Sequence, residues 1–166
     1  DIFASFRGEL SLVRQAARMQ RYLEEYPAPL FVVSGNHDEG HEFLAAAARR
    51  NPLVRTDGTD EQFLNYRFVC QGWNSPPALT PSVMPTIVLR HAPPAESLLA
   101  TGETCDVGEL ATRALALSLP RGSMVLSGHA HNPGAWCDNV GTTMCFNPGV
   151  AQRTVTPTRI VIDTDR

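Results

Sequence analysis

The chain has 166 residues, a net charge of -3 and 43% hydrophobic residues, which suits one domain with a real core and no internal domain boundary. All fourteen basic residues are arginine and are spread along the chain, which argues against the clustered basic face of a general nucleic-acid binder. No apolar run approaches the length of a membrane span, and no signal-peptide pattern shows. The four cysteines, Cys70, Cys105, Cys137 and Cys145, have neither C-x-x-C spacing nor disulfide-framework density. Free thiols in a soluble, cytoplasmic protein are expected, with a Cys137–Cys145 pairing across a hairpin left open.

Apolar residues at helical spacing (Leu12, Val13, Ala16, Ala17, Met19, Leu23, Tyr26) predict a helix over 9–26, stopped by Pro27. The run Leu30 to Val33 reads as a buried strand, and Ser34-Gly35-Asn36-His37-Asp38 falls in the loop after its carboxyl end. A second helix spans 42–50, ending in two arginines that suit a helix carboxyl terminus. Residues 62–71 read as one strand, followed by the proline-rich loop Gly72-Trp73-Asn74-Ser75-Pro76-Pro77. A strand ending at Leu89 leads to His91, a helix spans 107–119 up to Pro120, and a strand over 124–127 leads to Gly128-His129-Ala130-His131. Short strands are expected over 134–137, 143–146 and 159–162, with Asn147-Pro148-Gly149 as a turn. Helices and strands alternate early and strands collect late, the pattern of a mixed sheet sandwich with helices outside.

Histidine is scarce, and His37, His91 and the pair His129 and His131 each follow an apolar strand-like run. If those strands are parallel neighbours, their carboxyl ends share one sheet edge and their loops can converge on a metal ion. His41 is the remaining histidine, either a phosphate contact or a solvent-exposed residue at the start of a helix.

Gly35-Asn36-His37-Asp38, the lone His91 and Gly128-His129-Ala130-His131, in that order, resemble the last three motifs of the calcineurin-like metallophosphoesterases, whose pattern is D-x-H, G-D, G-N-H-[DE], H and G-H-x-H. Gly72-Trp73, His91-Ala92-Pro93-Pro94, Asp106-Val107-Gly108, Gly141-Thr142 and Asn147-Pro148-Gly149 are similar to the bacterial Icc-related subgroup. The resemblance implies a four-layered α/β/β/α sandwich. It makes Asp1 the aspartate of the G-D motif and places D-x-H, which is absent from the sequence, upstream of Asp1.

Residue by residue, it implies that Asn36, His91 and His129 hold one divalent metal, that His131 holds a second, and that Asp1 bridges the two. Imidazole, carboxylate and amide donors favour Mn, Fe, Zn or Co over Ca. The implied reaction is hydrolysis of a small phosphomonoester or phosphodiester, nucleotides included, by a metal-bound hydroxide, with His37 as general acid; either Asp38 or another group outside these motifs orients His37. Ala4 stands where some members carry an acid or tyrosine. The competing expectation is a non-catalytic binding or scaffold module with an incomplete metal site. Trp73 is either a packing anchor or a stacking surface for substrate, and Arg90 pairs either with substrate phosphate or with a carboxylate.

Overall fold

The computed structural model describes residues 12–38, 42–76, 78–101, 105–150 and 159–163. The amphipathic first segment forms α1, Leu12–Glu24, and the alanine-rich one forms α2, Glu42–Arg50. Leu23 of α1 packs with Phe43, Leu44 and Ala47 of α2 and with Val54 in one buried cluster. The buried Asn51 fastens the two helix ends, its amide donating to the carbonyls of Leu23 and Tyr26, each at 2.9 Å.

Two sheets lie between helices. In the smaller one β1, Leu30–Phe31, runs parallel to β2, Val54–Arg55. The larger one contains β3 (Asp60–Phe63), β4 (Tyr66–Gln71), β5 (Thr86–Arg90), β6 (Met124–Leu126), β7 (Cys137–Val140) and β8 (Thr143–Phe146). Its order is β3-β4-β5-β6-β8-β7, with β4, β5, β6 and β8 parallel and antiparallel strands at both edges. One face carries Val88, Val125 and Cys145 against Leu115 and Ala116 of α3, Leu110–Ser118.

The other face meets β1. Alternation along a strand sends successive side chains to opposite sides. Leu30 and Val32 accordingly join the α1–α2 cluster, while Phe31 stacks on Phe68 of β4 at 4.3 Å, with Phe63 edge-on to both. The layers are therefore helix, sheet, sheet, helix, the α/β/β/α sandwich that the motifs imply.

Several elements differ from the sequence reading. Residues 62–71 are not one strand. They belong to a hairpin in which Asp60 to Phe63 turns back through Leu64, at φ 55°, and Asn65 into β4. The short strand at Val54–Arg55 has no alternation to announce it. The strand expected over 134–137 begins only at Cys137. Residues 159–162 pair with no strand among the described residues. Ile160 and Ile162 instead line an apolar cavity of about 380 Å³ with Phe31, Leu89, Leu126 and Phe146. The four cysteines are free, and Cys137 sits opposite Phe146 whereas Cys145 sits opposite Asp138, a one-residue offset that turns the two thiols to opposite faces. Among the described residues no helix is long and apolar enough to cross a membrane.

Candidate metal centre

The parallel register Leu89↔Leu126 sets the loops that begin at His91 and Gly128 side by side at one sheet edge. Strand β1 belongs to the other sheet, so its loop arrives from across the sandwich rather than from the same edge. Ser34, fully buried beyond β1, fixes that loop. Its N–H and hydroxyl donate to the two carboxylate oxygens of Asp57 at 2.9 and 2.5 Å, and its carbonyl accepts from Trp73 N at 3.2 Å. Gly72 leaves room for this pair, because a Cβ there would lie 2.1 Å from Asp57 Oδ2 and displace its carboxylate.

The next four residues form a tight turn. Gly35 N donates to the buried Asp38 carboxylate at 2.7 Å, and Asp38 N donates back to Gly35 O at 3.2 Å. Asn36 and His37 are exposed at its tip. Three polar atoms then converge. His91 Nε2 lies 2.8 Å from Asn36 Oδ1 and 3.0 Å from His129 Nδ1. His131 is exposed on the same loop as His129. Asp1 and His41 lie outside the described residues.

This convergence fits a cation. Donors at right-angled positions around a six-coordinate cation with bonds of roughly 2.1 Å stand about 3 Å apart, close to the spacings of 2.8 and 3.0 Å on either side of His91 Nε2. A single proton on His91 Nε2 cannot serve two acceptors fully, whereas one cation engages all three lone pairs. Among the described residues no group of three His, Cys, Asp or Glu is placed to hold a metal; the third donor here is the Asn36 amide.

Electrostatics keep the lone pairs available. His91, 4% exposed, is pushed down to about 3, by burial first and then by the protonatable groups around it, the imidazoles of His129, His37 and His131 among them, beside which a second positive charge is disfavoured. His129 is lowered too, by burial first and then by His131, with Glu109 opposing. Both rings are thus neutral at neutral pH, the form that ligates metals. His129 also carries a left-handed backbone, φ 63°, which costs an L-residue about 1–2 kcal/mol.

Two side chains that the sequence left ambiguous can be placed. Trp73 packs on the ligand-like imidazoles, 5.5 Å from His91 and 5.8 Å from His129 between ring centres. Arg90 does not face the site. It is buried and ion-paired to Glu109 at 2.8 Å, with Thr112 Oγ1 at 2.8 Å and Gln71 Oε1 at 3.2 Å. Asp57 escaped sequence reasoning altogether, since Asp57-Gly58 reads only as a turn.

The model of the family described as calcineurin-like phosphoesterase matches residues 1–133. No match was found among curated proteins. A solved crystal structure resembles the chain with a TM-score of 0.61 at 19% identity, over 83% of this chain. The chain spans 64% of the length of that solved chain, and at this identity the likeness is one of fold. The family match covers most of the sequence and includes all three motif loops that meet at His91, so the chain belongs to the calcineurin-like phosphoesterase family.

Proposed function

We propose that the chain is a metal-dependent phosphoesterase that hydrolyses a small phosphomonoester or phosphodiester. The observation that carries this reading is the meeting of Asn36 Oδ1, His91 Nε2 and His129 Nδ1 within 3.0 Å steps at the mouth of three loops. These three would hold one divalent cation, and His131 with Asp1 would serve a second. Mn, Fe, Zn or Co fits this nitrogen and oxygen set. When bound, such cations supply Lewis acidity, lowering the pKa of water and offsetting charge on the phosphoryl oxygens.

The chain's own residues do the rest. His37, exposed on the turn beside Asn36, donates a proton from its ring to the leaving oxygen. Asp38 receives Gly35 N and so fixes the turn that presents His37, which makes its contribution one of orientation. Trp73 walls one side of the imidazole pair and limits water access to it. The free thiols, with Cys70 and Cys145 pushed up to about 12 by burial, suit a reducing cytoplasm.

Metal content and bis-p-nitrophenyl phosphate hydrolysis with added Mn, measured on wild type and His37→Ala, test the reading. The expected outcome is metal-dependent turnover that falls at least about 100-fold in His37→Ala while metal stays bound. Neither metal nor turnover in wild type would identify a binding module of the same fold.

A further inference from the structure

The segment after β8 makes contacts that this chemistry does not use. Asn147 is fully buried, and its amide nitrogen donates to Gly128 O at 2.8 Å and to Ala130 O at 3.1 Å, the carbonyls of the residues on either side of His129. Leu99 O lies 3.4 Å from the same nitrogen. At the other end of the amide, Oδ1 accepts from Gly149 N at 2.9 Å, and the backbone N–H of Asn147 donates to Trp136 O at 3.1 Å. Rotating the side chain would break bonds at both ends.

The next residues extend the grip. Val150 N donates to His131 O at 2.9 Å. Gly149, at φ 67°, comes so close that a Cβ there would lie 2.8 Å from that carbonyl. The loop from Gly128 to His131 is thus held by its carbonyls. Across His129 the turn is tight, with Ala130 N donating to Gly128 O at 2.7 Å.

A left-handed histidine relaxes readily to other backbone regions unless its surroundings hold it. One NH2 group bonded to the Gly128 and Ala130 carbonyls limits their separation, and so constrains the backbone angles of His129 and Ala130 that lie between them. Asparagine is suited to this because it brings two donors on one short side chain, whereas aspartate of the same size brings acceptors only. We propose that Asn147 is a positioning residue for the metal centre, its carboxamide clasping the carbonyls that flank His129 and so aiming Nδ1 of His129 at Nε2 of His91. The functional part of this inference rests on the reading of Asn36, His91 and His129 as ligands of one cation.

The test compares Asn147→Asp with Thr143→Val in the intact chain. Thr143→Val also removes one buried bond, from Thr143 Oγ1 to Ala116 O, but away from the loop. Two measurements are made: Co²⁺ titration followed by visible absorption, and imidazole ¹⁵N spectra of the metal-free protein. Asn147→Asp is expected to bind Co²⁺ at least tenfold more weakly and to shift the His129 resonances, with Thr143→Val matching wild type in both. Asn147→Ala, which adds no charge among the carbonyls, is read in the same way should the aspartate variant fail to fold. Wild-type Co²⁺ affinity and unmoved His129 resonances in the Asn147 variants would overturn the inference, as would equal losses in Thr143→Val. A wild type that binds no Co²⁺ would instead defeat the metal reading, and the His129 resonances would still decide the clasp.

Discussion

At the scale of single residues, the buried imidazole of His91 links the site to pH. Its pKa in the fold is about 3, against about 6.5 in an unfolded chain. Between these values the unfolded chain binds a proton that the folded one refuses, so metal-free protein loses stability as pH falls from 6.5 toward 3. The lowered His129 acts in the same direction. Denaturant unfolding at pH 6.5 and 5, where ordinary carboxylates hardly titrate, should show lower stability at pH 5, with His91 contributing at most about 1.4 kcal/mol per pH unit. In His91→Gln the slope should flatten. Arg90, one residue earlier, belongs to the scaffold, since Glu109, Thr112 and Gln71 occupy its guanidinium. Arg90→Lys loses that fork and should cost about 2 kcal/mol of stability, while leaving the KM for a phosphodiester unchanged. A raised KM with unchanged stability would return Arg90 to the substrate.

At the scale of elements, what the sequence conveyed depended on whether a local pattern carried the information. Helix α2 lies at Glu42–Arg50 and strand β8 at Thr143–Phe146, as the alanine-rich segment and the short strand-like run before Asn147-Pro148-Gly149 foretold. The hairpin between β3 and β4 was hidden because Leu64-Asn65 lacks the glycine that normally marks a two-residue turn with left-handed backbone at its first position. That mismatch is itself testable. Leu64 is 73% exposed, so Leu64→Gly surrenders little packing and relieves a left-handed residue. It should stabilise the protein by up to about 1 kcal/mol once glycine's extra chain entropy is counted, read as a higher denaturation midpoint with unchanged m. The site divides in the same way. His37, His91, His129 and His131 were legible because scarce histidines followed strand-like runs. The roles of Asp57 and Asn147 were not, since Asp57 reaches Ser34 across 23 residues and Asn147 bonds backbone carbonyls, which leave no trace in side-chain identity.

At the scale of the whole molecule, Asn36, His91 and His129 come together only where the two sheets meet. Asn36 is delivered by the sheet of β1, His91 and His129 by the ends of β5 and β6, and the stack of Phe31 on Phe68 holds the sheets in contact. The motifs singled out Asn36, His91 and His129 but not this crossing, because the strands were expected along one edge. If one cation joins donors from both sheets, removing a donor from either side must weaken the same binding event. Calorimetric titration of the intact chain with Mn²⁺, for wild type, Asn36→Ala and His91→Ala, measures this directly. Binding in wild type that weakens at least about tenfold in each variant is the predicted result. Mn²⁺ binding that neither substitution alters, or none in wild type, would contradict a shared metal centre at the junction of the two sheets.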